Sequence, residues 1–247
     1  RLQLLVILAY NLIMKTTIQD KSTLVNSVFS KVYKKYDLMN DIMSLGVHRI
    51  WKSKLIDWIN PQKNESLIDV AAGTGDIAKL FSKKNYSSSE IFCVEPNEQM
   101  LQVGKSNLSN FENIKWFNAK AEKLPFKNDL FNFYTISYGI RNVSNINMCL
   151  KEAFRVLKPG GRFMCLEFSK INNELLNLLY QQYSKAIPFV GKYVVGSSKP
   201  YDYLVKSIDE FYTQDELVDL MKNNGFSNIE YRNLSNGISA IHSGWKI

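Results

Sequence analysis

The chain has few of the side chains that form disulfides and metal sites. Its 247 residues include three cysteines and two histidines. The odd number of cysteines and the absence of a C-x-x-C pair argue against a disulfide framework and a zinc ribbon, and they favour a reducing compartment. Cys93, Cys149 and Cys165 fall inside predicted strands or helices, so we expect small buried side chains there and no metal site.

A long apolar segment is also missing. The longest apolar run, Leu2 to Ile13, is interrupted by polar residues, and a helix that spans a bilayer needs about 20 apolar residues. No A-x-A-like cleavage site follows the run, which disfavours a signal peptide. We expect residues 1–13 to be a disordered or non-native extension of a soluble, cytoplasmic protein, with the mitochondrial matrix as the alternative compartment.

Positive charge, in contrast, is in excess. The chain has 31 Lys and Arg against 23 Asp and Glu, a formal net charge of +8. Such an excess points to nucleic acid, an anionic membrane surface or an anionic ligand. The sequence has neither a basic stripe with interleaved aromatic residues nor an appended binding domain, so we expect no nucleic-acid partner.

Short apolar runs alternate with helical patterns through the middle of the chain. This alternation indicates an α/β protein with a parallel sheet and helices on both faces. Asn97, Ser144 and Thr213 are expected to cap three of the helices. The last two apolar runs lie on either side of Ser235-Asn236-Gly237 and predict an antiparallel pair of strands. The predicted strands are residues 67–71, 91–94, 114–117, 131–136, 163–168, 229–234 and 238–243.

A single domain accounts for residues 14–247. Helical spacing over residues 22–59 predicts N-terminal helices ahead of the first strand. Residues 172–211 interrupt the alternation for about 40 residues, which is longer than an ordinary connection. This stretch is rich in Tyr and Leu, and we expect a helical insert on the substrate side of the site.

A glycine-rich turn follows the first predicted strand and opens a helix. Gly73 and Gly75 allow close backbone approach to a ligand, and the helix N-terminus adds unpaired N–H donors. Glu95 ends the next strand about 20 residues later, where a carboxylate can accept hydrogen bonds from ribose hydroxyls. NAD(P) proteins and S-adenosylmethionine methyltransferases share this pattern, and a purely structural tight turn also explains the glycines.

Two features favour a methyltransferase over a dehydrogenase. Asp69 lies at the end of the strand, ahead of the glycines, where a carboxylate can approach a cationic amino-acid group. The block Leu157-Lys158-Pro159-Gly160-Gly161-Arg162 precedes a strand, as is typical of class I methyltransferases.

Two longer blocks carry a resemblance to a known family. Residues 36–51, YDLMNDIMSLGVHRIW, resemble the N-terminal signature of the ubiquinone/menaquinone biosynthesis C-methyltransferases, and residues 155–169, RVLKPGGRFMCLEFS, resemble the second. The intervening block ISYGIRNV at 136–143 also fits. The resemblance runs from about Val25 to Ile247. It implies a Rossmann-like class I fold, with a seven-stranded, mostly parallel sheet and an antiparallel C-terminal strand pair.

The family binds S-adenosyl-L-methionine and methylates a ring carbon of a polyprenylated benzoquinol or naphthoquinol. The family usually has Asn or Asp in place of Lys120, whose side chain cannot accept the adenine amino hydrogen. Either the Ala121 backbone or Asn118 is expected to accept it instead. By position, the resemblance implies that the cofactor contacts Thr74, Glu95, Lys120, Ala121 and Ser137.

Methylation of a ring carbon requires a proton to leave the quinol hydroxyl and the phenolate charge to be stabilised. Arg141 stays protonated, so we expect it to hold a water or the phenolate, with a surface ion pair as its structural alternative. His48 can take a proton near neutral pH or serve as a packing residue. Tyr36 contacts either the quinol ring or the core. The candidate catalytic residues are Tyr36, His48, Arg141 and Asn142.

A polyprenyl quinol resides in the bilayer, so we expect the protein to lie peripherally at the inner membrane. Anionic headgroups attract basic patches, and residues 30–55 carry such an excess of charge. A homodimer or a quinone-biosynthesis complex is a further possible assembly. The alternatives are another small-molecule methyltransferase, an NAD(P)-binding oxidoreductase and a non-catalytic cofactor-binding component. Within residues 30–55, the basic residues are Lys31, Lys34, Lys35, Arg49, Lys52 and Lys54, and the acidic residues are Asp37 and Asp41.

Overall fold

A computed structural model provides the coordinates of the chain. The expectations for residues 1–13 and for Tyr36 concern positions outside the described residues. The structure describes residues 21, 23, 25, 27–28, 30, 38, 40–41, 44, 46–85, 88–171, 173–174, 177–184, 187 and 199–247.

One seven-stranded sheet organises the fold, with the strand order β3-β2-β1-β4-β5-β7-β6. Strands β1 to β5 pair in parallel, and β7 runs antiparallel to both β5 and β6. The predicted sheet with its antiparallel C-terminal pair is therefore confirmed. The strands are β1 (Leu67–Val70), β2 (Ile91–Val94), β3 (Ile114–Phe117), β4 (Phe131–Ser137), β5 (Leu157–Phe168), β6 (Ser227–Leu234) and β7 (Ser239–Trp245).

The central strands are largely apolar because both faces of the sheet are covered. Successive side chains of a strand point to opposite faces. Leu67 and Ile68 accordingly belong to two different hydrophobic clusters, one on each side of the sheet, and both are fully buried. Cys93, Cys149 and Cys165 are also fully buried as free thiols, as expected.

Three of the described helices begin after a residue whose side chain bonds one of the first backbone N–H groups. Asn97 Oδ1 accepts from Met100 N at 3.0 Å, and Thr213 forms a capping box with Glu216, as expected. The prediction of Ser144 as a cap is wrong, because Asn145 next to it caps the helix. The helices are α1 (His48–Ile59), α2 (Asp76–Lys84), α3 (Glu98–Asn107), α4 (Ile146–Val156), α5 (Lys199–Asp209) and α6 (Gln214–Asn223).

Most described positions of the N-terminal region and of the insert are helical. The described positions between 21 and 30 are helical, as are residues 177–184 and α5 of the insert. Among the described residues, no helix combines the length and the apolar character needed to cross a bilayer.

Gly104 in α3 allows this helix to pack closely against β3. A Cβ at this position would lie 2.1, 2.7 and 2.8 Å from three ring carbons of Trp116. Replacing Gly by Ala inside a helix contributes about 1 kcal/mol of stability, whereas overpacking costs about 1–3 kcal/mol. With three ring carbons in contact, the steric cost outweighs the gain.

We therefore expect Gly104→Ala to lower the free energy of unfolding in urea by about 1 kcal/mol or more. Ser106→Ala, at an exposed position of the same helix, is the matched control and should not destabilise the protein. Equal stabilisation by both substitutions would contradict the packing argument.

Candidate functional site

The turns after β1 and β4 meet at the point where the strand order reverses. From β1 the chain proceeds outward to β2 and β3, and from β4 it proceeds the other way to β5. Ligands of open α/β sheets bind in the crevice at this point, beyond the carboxyl ends of the strands. Ala71 and Tyr138, just after the two strands, have positive φ values of 53° and 55°. Such backbone strain clusters at functional sites.

The two turns touch directly. A Cβ on Gly139 would lie 2.5 Å from the Cβ of Ala71, so only glycine allows this approach. The sequence analysis did not single out Gly139, because its neighbour Ala71 is distant in sequence. The φ of Gly139, −116°, is open to any residue. The requirement for glycine is purely a matter of packing.

A cavity of about 310 Å³ opens beside these turns, within the range of small-molecule sites. Its walls include five residues predicted to act at the site: Gly73, Glu95, Lys120, Ala121 and Asn142.

A smaller cavity adjoins the first, because Ala71 and Gly73 line both. Three more of the predicted site residues, Asp69, Thr74 and Ser137, line it. The fold therefore gathers eight of the twelve candidates around two connected cavities.

Glu95 is held at the end of β2 by two backbone groups. Its Oε2 accepts from Gly73 N at 3.0 Å and its Oε1 accepts from Asn97 N at 2.9 Å. Burial raises the pKa of this carboxyl to about 7, although both backbone bonds oppose the shift. A carboxylate has about four lone-pair positions, so each oxygen retains the capacity to accept from a ligand hydroxyl.

Asp69 and Ser137 present polar atoms that the protein itself leaves unsatisfied. Thr135 Oγ1 donates to Asp69 Oδ1 at 2.8 Å. Among the described residues, Asp69 Oδ2 and Ser137 Oγ are buried without a hydrogen-bond partner. Burial raises the pKa of the Asp69 carboxyl to about 7. Unsatisfied buried atoms are costly, and these two suit a ligand with an ammonium group.

Because the Lys120 side chain cannot accept a hydrogen bond, two other acceptors were expected for adenine: the Asn118 side chain and the Ala121 backbone. The Asn118 amide nitrogen donates to Glu98 Oε2 at 3.0 Å and more weakly to Pro96 O at 3.3 Å. Asn118 is absent from the lining of both cavities, whereas Ala121 is buried in the wall of the larger one. The geometry therefore favours Ala121 as the adenine partner.

Gly75 lies outside both linings and has a packing role. A Cβ there would lie 2.5 Å from Leu108 and 3.1 Å from Trp116, and its φ of 91° is left-handed. Both observations require glycine without any ligand. A cofactor contact at Gly75 remains a prediction.

Arg141 lies in the short 3₁₀ turn Ile140–Asn142 after β4. Its guanidinium forms an ion pair with Glu167 of β5, and both side chains are almost fully buried. Arg141 Nη1 also donates to Tyr138 O at 3.0 Å. The structural alternative expected for Arg141 was an ion pair at the surface. The ion pair is present, but it is buried. Neither cavity lining includes Arg141.

The sequence analysis missed Glu167 as the partner of Arg141. The available signal was one carboxylate in an otherwise apolar strand, because a buried charge requires a counter-charge. Burial raises the pKa of Glu167, and the Arg141 charge opposes the shift.

Asn142 lines the larger cavity and is oriented from two sides. Its amide nitrogen donates to Tyr138 O at 3.4 Å, and Tyr203 Oη donates to its Oδ1 at 3.0 Å. Tyr203 belongs to α5 of the insert. The insert thus contacts the turn after β4, a link that the sequence did not reveal.

His48 lies in α1, outside both linings, and is buried. Its Nε2 is 2.9 Å from Asp41 Oδ1. Burial lowers the pKa of His48, and the nearby Lys52 charge lowers it further. The structure thus gives His48 a packing position. Its catalytic role, like that of Tyr36, remains a prediction.

Described residues of the N-terminal region cover the larger cavity. Thr23 and Val25 belong to its lining. Lys21 Nζ donates to Val143 O at 2.9 Å, and Asn97 Nδ2 donates to Ser30 Oγ at 3.0 Å. These bonds join the N-terminal region to the opposite walls of the cavity.

A family model described as the ubiE/COQ5 methyltransferase family matches residues 15–246. The chain belongs to this family. It is 50% identical over 240 residues to the ubiquinone/menaquinone biosynthesis C-methyltransferase UbiE of Rickettsia bellii strain OSU 85-389, covering 94% of this chain and 96% of that relative. Identity is 44% to UbiE of Brucella suis, with coverage of 92% and 87%.

Solved structures show the same fold. A methyltransferase of Thermotoga maritima described as SAM-dependent superposes with a TM-score of 0.65 at 18% identity, covering 90% of this chain and all of that one. A phosphoethanolamine N-methyltransferase of Haemonchus contortus, solved with S-adenosyl-L-methionine, has a TM-score of 0.58 at 11% identity, with coverage of 79% and 52%. The class I methyltransferase fold, the enzyme class and the cofactor S-adenosyl-L-methionine are confirmed.

The site residues fit this cofactor, because Asp69 Oδ2 and Ser137 Oγ are unsatisfied in the smaller cavity, which adjoins the cavity of about 310 Å³. Within the described part of the chain, no group of three or more His, Cys, Asp or Glu is arranged to hold a metal ion.

The raised pKa values of Asp69 and Glu95 make cofactor binding dependent on pH. Below about pH 7 these carboxyls are protonated in the free protein, whereas the ligand ammonium and ribose hydroxyls favour the ionised forms. We expect the affinity for S-adenosylhomocysteine to rise from pH 6 to pH 8, by at most about tenfold per pH unit for each proton released.

Isothermal titration calorimetry in buffers of different ionisation enthalpy measures this proton release directly. Asp69→Asn should bind more weakly at pH 8 and release fewer protons. An affinity that does not change across this range would contradict the assignment of both carboxyls.

Proposed function

We propose that this chain transfers the methyl group of S-adenosyl-L-methionine to a ring carbon of a polyprenylated benzoquinol or naphthoquinol. The observation that carries the proposal is the 50% identity to a ubiquinone/menaquinone biosynthesis C-methyltransferase along nearly the whole of both chains. Because the identity extends through the N-terminal region and the insert, it includes segments beyond the shared cofactor-binding core.

In this proposal the chemical groups of the cofactor follow the two cavities in order. Cofactor binding supplies an electrophilic methyl group on a sulfonium. The Ala121 backbone accepts from adenine in the larger cavity, and Glu95 accepts from the ribose hydroxyls. Asp69 Oδ2 accepts from the ammonium group in the smaller cavity, next to Ser137 Oγ.

On the quinol side, Asn142 is the predicted catalytic residue in the cavity wall. Its amide is fixed by Tyr138 O and Tyr203 Oη, so it can bind a quinol oxygen without reorganising. Arg141 acts through its neighbours as a positioning residue, because its guanidinium bonds Tyr138 O and Glu167. The ring hydroxyl would give its proton to water, and the ring carbon would then take the methyl group as the bond from that methyl to the sulfonium breaks. The ring proton would be lost as the hydroxyl is re-formed, so that one proton is released overall.

The test is transfer of a radiolabelled methyl group into prenylated benzoquinol and naphthoquinol. We expect label in at least one quinol, and a loss of kcat of roughly 10-fold or more in Asn142→Ala. Arg141→Met should also lose activity, but through stability, because it leaves Glu167 buried without its partner. Asn110→Ala, at an exposed loop position, is the control and should retain full activity.

Binding of S-adenosylhomocysteine, measured on the same samples, separates the possible outcomes. Binding without label in either quinol would overturn the proposed substrate. It would favour another small-molecule methyltransferase or a non-catalytic component. Full activity of Asn142→Ala would remove this residue from the mechanism.

We further propose that the protein meets its substrate at an anionic membrane surface. Leu178 and Leu179, adjacent on the helical part of the insert, are 54% and 59% exposed. Ile187 and Tyr183 of the same segment pack into the core, so one side of it is anchored. Two adjacent exposed leucines on the substrate-side insert suit a contact with lipid.

The basic patch of residues 30–55 is smaller than the sequence indicated. Lys52 is buried, and the exposed Arg49 is held by Asp41, with Nη2 to Oδ2 at 2.8 Å. Lys54 is exposed. Lys31, Lys34 and Lys35 lie outside the described residues.

We expect the protein to bind vesicles that contain anionic lipid, and to be released by salt, in a sedimentation assay. Leu178→Asp combined with Leu179→Asp should reduce binding. Met148→Asp, which alters an exposed apolar residue of α4, should leave it unchanged. Binding equal to the control in the double variant would exclude the leucines from the contact.

A further inference from the structure

Lys52 is a buried cation in the wall of the smaller cavity. It projects from α1, is 6% exposed, and its Nζ donates to Asp76 Oδ2 at 2.7 Å. The same cavity is lined by Asp69 and Ser137, whose Oδ2 and Oγ are the unsatisfied atoms. Two acidic side chains and one basic side chain thus converge there.

The ion pair with Asp76 does not by itself explain a buried ammonium. The Asp76 side chain is 39% exposed, and a partly exposed pair contributes little to stability. An ammonium group also has three N–H donors, of which Asp76 takes one. Lys52 therefore has donors left for a second anionic group.

The charges of the cavity match those of a zwitterion. Asp69 provides an acceptor for a ligand ammonium group. Among the described residues that line this cavity, Lys52 is the only cation. An α-amino acid end, which carries one ammonium and one carboxylate, complements both.

We infer that Lys52 binds the carboxylate of the amino-acid end of the cofactor, opposite the ammonium bound by Asp69. The inference rests on the proposed placement of this end in the smaller cavity. That cavity measures about 20 Å³, which holds about one water molecule. The flexible stem of Lys52 must move for the ligand to enter, so we expect binding to rearrange the Lys52–Asp76 pair.

The decisive experiment compares three ligands by calorimetry. S-adenosylhomocysteine has both charged groups, S-adenosyl-3-thiopropylamine lacks only the carboxylate, and 5′-methylthioadenosine lacks the whole amino-acid end. We expect Lys52→Met to weaken S-adenosylhomocysteine binding by about 10- to 100-fold, as for the loss of a charged hydrogen bond. Binding of the other two ligands should change little. Lys52→Arg should recover much of the loss, and the exposed Lys54→Met should behave as wild type.

The pattern across ligands separates the explanations. Equal weakening of all three ligands would show that Lys52 only maintains the structure, and the thermal unfolding of the free variant would report the same defect. Equal weakening of the two amine-bearing ligands would show that Lys52 acts through Asp69. Either result overturns the inference but leaves the proposed function intact. Failure of the wild-type protein to bind any of the three would overturn the cofactor site itself.

Discussion

The contact between the turns after β1 and β4 is the constraint on which the site depends. Gly139 lies against Ala71, and Ala71 and Tyr138 both adopt left-handed backbone conformations. This arrangement ends two neighbouring parallel strands at one place. The turn after β1 provides Gly73 to the cavities, and the turn after β4 provides Asn142. Because Gly139 packs against the Ala71 side chain, a shift in either turn would displace both the cofactor side and the substrate side of the site.

Three buried carboxylates surround this contact, and each is compensated differently. Glu167 has the Arg141 guanidinium, and Glu95 has two backbone N–H donors. Asp69 has one hydroxyl bond and an unsatisfied oxygen. Burial raises the pKa of all three. A buried carboxylate with partners for both oxygens stabilises the fold, whereas one with an unsatisfied oxygen can bind a ligand. Of these three, Asp69 is the one with an unsatisfied oxygen.

Much of the fold and part of the site could be predicted from local patterns. The seven strands and the antiparallel pair followed from apolar runs and turn residues, because each pattern depends on neighbours in sequence. Asn97 and Thr213 were identified as caps for the same reason. Ser144 was not the cap, because Ser144 and Asn145 are both good caps, and in the fold it is the Asn145 side chain that accepts from Met148 N at 3.0 Å. Arg141 was expected to hold a water or the phenolate, or to form a surface ion pair; its partner Glu167 was not identified, because it lies 26 residues away.

The sequence by itself determined the fold class, the family signatures and the chemistry of the glycine turn, because these depend on residue type, order and spacing. Only the tertiary structure decided which side chains share a cavity. It buried Lys52 beside Asp69, paired Arg141 with Glu167, and joined Tyr203 of the insert to Asn142. It also showed why Gly75 and Gly139 must be glycine: a Cβ would be too close to Trp116 at the first position and to Ala71 at the second. Contacts between residues distant in sequence depend on how strands and helices pack, and local patterns do not carry that information.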